Sequence, residues 1–273
     1  MSGITIDLTN KVVLICGAGA GGIGSATADV FAEAGATIIA VDRSDQLVEE
    51  TLASIRKIGA NGVGIKADLM NIEETEEIIR RVRKQFDVLH AVVNVAGGTR
   101  EHQWMELERT PNEIYREVFA LNLDYVFRVC RDAAKFMIEK KISGSLTNIS
   151  SMSSMASAPF HGPYGAAKAG VTALTRTMAA EWAEYGIRAN SILPGNVPTP
   201  RVLSHRSTTD VLDVYPKTGR RGLVAPREIA TAALFLTSDL SSGVTGQSLV
   251  VDIGITNVLG AANVDRMRAM IVR

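Results

Sequence analysis

Lys11-Val12-Val13-Leu14-Ile15-Cys16-Gly17-Ala18-Gly19-Ala20-Gly21-Gly22-Ile23-Gly24-Ser25-Ala26-Thr27-Ala28 passes from an apolar run through closely spaced glycines into a series of small residues. The short apolar run reads as a buried strand, and the small residues open an amphipathic helix. Glycines between the two let the backbone approach a pyrophosphate, and the first helical turn presents free N–H groups at the positive end of its dipole. A glycine cluster by itself is also what a surface turn looks like. Its place between the first strand and the first helix makes it a nucleotide-binding candidate.

The same alternation continues outward from this stretch. Strand-like runs at residues 37–41, 62–66, 88–93, 145–149, 188–193 and 248–252 are separated by helical patterns at 45–58, 72–86, 111–140, 164–185 and 226–238. Strands joined through helices run parallel, because each crossover returns the chain to the same edge. The expectation is an α/β fold: one Rossmann-fold domain over residues 1–273, a doubly wound parallel sheet of about seven strands with helices on both faces. The chain shows no internal repeat, low-complexity tract or interdomain linker. Its charged clusters, such as Glu73 to Glu77 with Arg80 to Lys84, fall at helical spacing and read as a solvated helix face.

Composition narrows the function classes. The 273 residues carry 29 Lys and Arg against 29 Asp and Glu, a formal net charge of zero, so nothing favours nucleic acid or an anionic membrane as a partner. Hydrophobic residues make up 46%, yet no run is long enough to span a bilayer. The start of the chain lacks a basic flank and apolar stretch, which leaves a cytoplasmic location as the expectation. Cys16 and Cys130 have no metal-ligand spacing and read as two reduced, buried thiols; no metal is expected. A small molecule is the expected partner.

About twenty residues beyond the glycines stands Val41-Asp42-Arg43, where this fold presents an acid to the adenosine ribose. Asp42 can accept from both ribose hydroxyls and would repel a 2′-phosphate of charge about −1.5 to −2. NAD is therefore the expected cofactor and NADP the less favoured one, with Arg43 as the residue that keeps NADP open. Asp68-Leu69 follows the third strand and can reach an adenine ring, or Asp68 can cap the helix that starts near Ile72.

Tyr164 and Lys168, in Gly162-Pro163-Tyr164-Gly165-Ala166-Ala167-Lys168, are four apart and share a helix face. A phenol with pKa about 10 is too weakly acidic to serve as a base at neutral pH. A cation at about 4 Å, at an effective dielectric of about 20, supplies roughly the 4 kcal/mol that a shift of about 3 units needs. Burial of the phenolate opposes that shift, so a positively charged nicotinamide is expected to contribute as well. Taken alone, the pair is common by chance.

Ser145-Leu146-Thr147-Asn148-Ile149-Ser150-Ser151 changes its meaning, because a strand ending in hydroxyl residues precedes the tyrosine. With these motifs in this order, the chain from about Lys11 to Ile255 resembles the short-chain dehydrogenase/reductase family. The resemblance implies an Asn-Ser-Tyr-Lys catalytic set, here Asn122, Ser151, Tyr164 and Lys168, since Ser151 lies thirteen residues before Tyr164 and Ser150 points to the other side of the strand. Tyr164 would take the substrate's hydroxyl proton, and Ser151 would donate to the substrate oxygen. Lys168 would lower the Tyr164 pKa and hold the nicotinamide ribose; Asn122 would hold a water leading to solvent.

The family pattern extends to the cofactor. Pro194-Gly195-Asn196-Val197-Pro198-Thr199 resembles its Pro-Gly-x-Val-x-Thr stretch, which implies nicotinamide contacts from Val197 and Thr199 beside Pro194 and Gly195. Asn94-Val95-Ala96-Gly97 resembles its Asn-Asn-Ala-Gly, placing Asn94, Ala96 and Gly97 near the adenosine ribose. Three features depart from it. The glycine loop is one residue longer, with Cys16 in place of Thr, so Gly17, Gly22, Ile23 and Gly24 are the safer choices for phosphate contact; Val95 and Ile253 replace the usual Asn and Gly.

Residues 98–105, 152–161 and a substrate loop at about 195–222 are expected to build the pocket, with Trp104, Met152 and His161 as candidates. This largely apolar set points to an apolar or cyclic secondary alcohol or its ketone, and His161 either bonds the substrate or packs the loop. A tail at about 256–273, with Val264, Met267, Met270 and Ile271 at helical spacing, docks on a neighbour or covers the site. The expected activity is hydride transfer between NAD(H) and such an alcohol. The alternatives are an NADPH-dependent 3-oxoacyl-thioester reductase and a non-catalytic NAD-binding regulator. The resemblance also implies a homotetramer built on the helices at 111–140 and 164–185.

Overall fold

The computed structural model describes residues 5–19, 21–205 and 223–257. Seven strands, β1 (Val12–Cys16), β2 (Thr37–Asp42), β3 (Gly62–Lys66), β4 (Ala91–Asn94), β5 (Ser145–Ile149), β6 (Arg188–Pro194) and β7 (Ser248–Val251), form one sheet in the order β3-β2-β1-β4-β5-β6-β7. Every neighbouring pair is parallel. Strand order reverses between β1 and β4. The chains leaving these two strands depart in opposite senses, so a crevice opens beyond their carboxyl ends.

Alternate residues of the strands feed two separate cores. Val13, Ile15, Ile38 and Ala40 pack under α1 (Ile23–Glu33), α2 (Asp45–Lys57) and the last described long helix, α8 (Pro226–Thr237). Leu14, Cys16, Ile39 and Val41 pack on the opposite face under α3 (Ile72–Gln85), α5 (Tyr125–Lys140) and α6 (Gly162–Glu181). Burial on both faces explains why the strands read as continuous apolar runs rather than alternating ones. A fully buried side chain such as Phe31 or Ile38 contributes about 1.5–3 kcal/mol. Cys16 and Cys130 are free and buried as expected, and burial pushes the Cys130 thiol up to about 12.

Four local outcomes differ from the sequence expectation. The helix expected at 111–140 is two helices, α4 (Asn112–Phe119) and α5, joined by a π-turn at Ala120–Asp124. Within that turn the Asn122 amide donates to the Val118 carbonyl, competing with the backbone ladder. Strand β4 starts at Ala91 rather than Val88. Helix α6 begins at Gly162, with Pro163 in its first turn, and gives way after Glu181 to a tight turn at Ala183–Tyr185. Finally, α3 is capped by Asn71, whose side chain accepts from the Glu74 N–H, so Asp68 is not its cap.

A short helix, α7 (Pro200–His205), follows β6. Residues 206–222 of the expected substrate loop, and the tail from residue 258 onward, lie outside the described residues. No described helix is long and apolar enough to cross a membrane.

Candidate active site

Gly17, Asp42, Asp68, Asn94, Ser151 and Pro194 stand at or just past the carboxyl ends of β1 to β6. The loop after β1 is built by close backbone approach. A Cβ on Gly17 would meet the Ala96 backbone nitrogen at 2.6 Å, and one on Gly24 would lie 1.8 Å from the Gly17 carbonyl. Only glycine lets the loops after β1 and β4 pack against each other and against the start of α1. This corrects one assignment. The Gly17 and Ala18 amides both donate to the Val41 carbonyl, at 2.8 and 3.0 Å, so Gly17 is a packing residue and its N–H is not available to phosphate. Gly22 caps α1 and has no side chain to do it with, which leaves first-turn amides at Ile23 and Gly24 for an anion.

Asp42 ends β2 beside this loop. Its Oδ2 accepts from the Gly19 N–H at 3.0 Å and its Oδ1 from the Arg43 N–H at 2.8 Å. A carboxylate has about four lone-pair positions, so these bonds orient the group and leave acceptor capacity for ribose hydroxyls. These features fit a dinucleotide. Asp68 is exposed, and its carboxylate turns back to the Met70 N–H at 2.9 Å. The Leu69 carbonyl next to it accepts from Arg128 and Thr75.

Asn94 requires a second correction. Its side chain is fully buried, donating to Asn148 Oδ1 at 2.8 Å and to Cys130 Sγ at 3.2 Å, while Asn148 donates onward to Thr175. The side chain therefore ties β4 and β5 to α6 and does not face the crevice. The Ala96 carbonyl is held by the buried Tyr125 hydroxyl at 2.7 Å, and Gly97 stands beside Asn122 and Lys168.

The chemical end is assembled around β5 and α6. Ser151 follows β5, and its Oγ accepts from the Ser153 N–H at 3.1 Å, leaving the hydroxyl hydrogen to donate. Ser150, one residue earlier, donates to the main-chain carbonyl of Lys168 at 2.8 Å and is not at the site, as its position predicted. Met152 opens the turn Met152–Ser154, which packs on α6. Tyr164 lies in the first turn of α6, half-buried, with Lys168 one turn on.

Lys168 is only 2% exposed. Its Nζ donates to the Ile149 carbonyl at 2.8 Å and lies 5.9 Å from the centre of the Tyr164 ring. Burial of the ammonium lowers its pKa from 10.5 to about 7. Asn122 comes to the same place. Its Oδ1 accepts from the Gly98 N–H at 2.7 Å and its Nδ2 donates to the Gly98 carbonyl at 3.0 Å, so the side chain clamps Gly98. A Cβ on Gly97 would meet Asn122 Oδ1 at 2.7 Å and Lys168 Nζ at 2.9 Å. The sequence reading placed Gly98 only in a pocket segment and missed the Ile149 carbonyl. Neither carries a side-chain signal; both act through the main chain.

Beyond β6, Gly195 sits against the Asp252 backbone, 2.9 Å from where its Cβ would be. The Val197 carbonyl accepts from the Thr199 N–H at 2.8 Å, and Thr199 Oγ1 accepts from the Val202 N–H at the start of α7. At the mouth, the Trp104 ring lies against His161 with centroids 4.8 Å apart.

Residues 17–256 match the protein family described as Enoyl-(Acyl carrier protein) reductase. The chain is 38% identical over 255 residues to a 3-oxoacyl-acyl-carrier-protein reductase of Thermotoga maritima, covering 91% of this chain and 98% of that protein. It is 33% identical over 256 residues to a 3beta-hydroxysteroid dehydrogenase of Eggerthella lenta, covering 92% of this chain and 95% of that one. Among solved structures, a short-chain type dehydrogenase/reductase from Mycobacterium ulcerans superposes with a TM-score of 0.84 at 27% identity, covering 93% of this chain and 92% of that chain.

Proposed function

Because this chain belongs to the short-chain dehydrogenase/reductase family and is an oxidoreductase, we propose that it interconverts an apolar or cyclic secondary alcohol and its ketone, with NAD(H) as cofactor. When bound, the nicotinamide accepts or returns the hydride. The observation that carries the reading is the stacking of Tyr164 and Lys168 on one face of α6 at the end of β5, with Lys168 buried beside Ile149, Gly97 and Asn122.

Tyr164 takes the proton from the alcohol oxygen in oxidation and returns it in reduction. Ser151 donates its spare hydroxyl hydrogen to that same oxygen and fixes its position. Burial drives Lys168 toward its neutral form, so its charge near Tyr164 is sustained only when further acceptors, such as ribose hydroxyls, join the Ile149 carbonyl. Asn122 acts by holding Gly98, which keeps the loop after β4 clear of Lys168. Both Nδ2 hydrogens are engaged with protein, so a proton-carrying water would bond the spare lone pair of Oδ1 or the main chain of Asn122. Asp42 supports NAD over NADP. The buried free thiols fit a reducing, cytoplasmic setting.

A second reading, an NADPH-dependent 3-oxoacyl-thioester reductase, draws support from the Thermotoga maritima relative and from exposed Arg43 beside Asp42. One assay separates the two: cofactor absorbance with a panel of secondary alcohols and NAD, and with an acyl-thioester and NADPH. The expected result is turnover in the first arm. Tyr164→Phe should lower kcat by about a hundredfold or more; a variant that keeps most of its turnover overturns the acid/base role.

A further inference from the structure

We infer that His161 determines substrate specificity, its Nε2 accepting a hydrogen bond from a second hydroxyl, so that the site takes cyclic diols and the corresponding hydroxyketones. This rests on the reading of Tyr164 as the acid/base. His161 is the cap residue of α6, and His161, Tyr164 and Lys168 stand at successive positions of one helix face. The Lys168 end of that stripe is buried and the His161 end lies at the mouth. A group bonded to Tyr164 through one oxygen therefore has His161 as its neighbour on the outer side.

The tautomer of the neutral ring follows from one contact. Nδ1 lies 3.0 Å from the Pro159 carbonyl, and a carbonyl only accepts, so Nδ1 carries the hydrogen. In the neutral imidazole Nε2 then holds a lone pair, and among the described residues nothing bonds to it. Its natural partner is a donor such as a hydroxyl.

The surroundings hold the ring in place and shape what else can bind. Trp104 stands at 56° to the imidazole, and its Nε1 donates to Thr99 Oγ1 at 2.8 Å. Thr99 follows Gly98, which Asn122 clamps. Lys168 and Asn122 adjoin Gly97 and Gly98, and Thr99, next in the chain, is tied through Trp104 to His161. The Met105 N–H donates to the Phe160 carbonyl at 3.1 Å, tying the two mouth loops together.

Phe160 itself has φ 63°, a left-handed conformation that a bulky residue adopts only when neighbouring contacts enforce it. Phe160, Met155 and Leu107 are exposed and offer apolar surface to a ring. The nearby guanidinium of Arg100 is drawn to Glu117 at 3.2 Å, which weakens any case for an anionic substrate. Together these favour a neutral ring bearing more than one hydroxyl.

The test is the ratio of kcat/KM for vicinal cyclohexanediol to that for cyclohexanol, with NAD, in the native protein, His161→Phe and His161→Gln. The ratio is internal to each variant, so a smaller folded fraction scales both alcohols alike. The native protein should prefer the diol by about tenfold or more, the scale of one hydrogen bond. That preference should fall about tenfold in His161→Phe and be partly kept in His161→Gln, which retains an acceptor. No diol preference in the native protein, or an unchanged ratio in His161→Phe, overturns the inference while leaving the alcohol dehydrogenase reading standing. No NAD reduction with either alcohol overturns that reading and the inference with it.

Discussion

The Lys168 ammonium is buried with one carbonyl partner among the described residues, and its proposed chemical role and its contribution to stability oppose each other. Its folded pKa lies near 7 against 10.5 when exposed, so as pH falls from 10.5 toward 7 the unfolded chain takes up a proton that the folded chain does not. Folding is thereby penalised at neutral pH. Lys168→Met is expected to abolish most turnover while its Tm at pH 7, without cofactor, equals or exceeds that of the native protein; a substantially lower Tm would show that the ammonium stabilises the fold. At this scale the sequence offered candidates but not their states. Tyr164, Lys168 and Ser151 were named through motifs that resemble a family's, whereas the inward turn of Asn94 depended on Cys130, Asn148 and Thr175, brought together from distant segments.

Strands β1 and β4 are joined at their entrance by a side chain. The Val12 N–H donates to His90 Nδ1 at 3.0 Å, and the His90 N–H donates to the Val12 carbonyl at 2.9 Å. The first bond requires an unprotonated Nδ1. Burial, with Lys11 nearby, lowers the His90 pKa below 6.5. The contribution is complete above about pH 6.5, where both states are neutral, and is lost as pH falls through that value toward the folded pKa. His90→Asn, whose Oδ1 can accept the same N–H, should show a flatter dependence of Tm on pH between about 7 and 5; an identical slope would remove His90 from the account. Elements were legible to the extent that their signals were local. The helix expected at 164–185 was found to start two residues earlier, and the π-turn in the 111–140 segment was not foreseen, because there Asn122 bonds both the Val118 carbonyl and the distant Gly98.

Across the whole molecule, the outward faces of α4 and α5 leave Tyr115 and Phe127 45% and 44% exposed, large aromatics with little cover in one chain. The proposed homotetramer would bury them. Sedimentation should then find four chains in the native protein and a smaller species for Phe127→Glu; a native monomer at micromolar concentration would overturn the assembly. The sequence by itself determined the alternation of strand and helix, hence the parallel sheet, and offered Tyr164, Lys168, Ser151 and Asp42 as candidates through its motifs, because periodicity and motifs are properties of neighbouring residues. Only the tertiary structure decided that the Gly17 amide is spent on Val41, that Asn94 faces the core, and that His161 Nδ1 meets the Pro159 carbonyl with the ring beside Trp104. Each of these depends on contacts in three dimensions, and the pairs Gly17–Val41, Asn94–Asn148 and Trp104–His161 join segments that lie far apart in the chain.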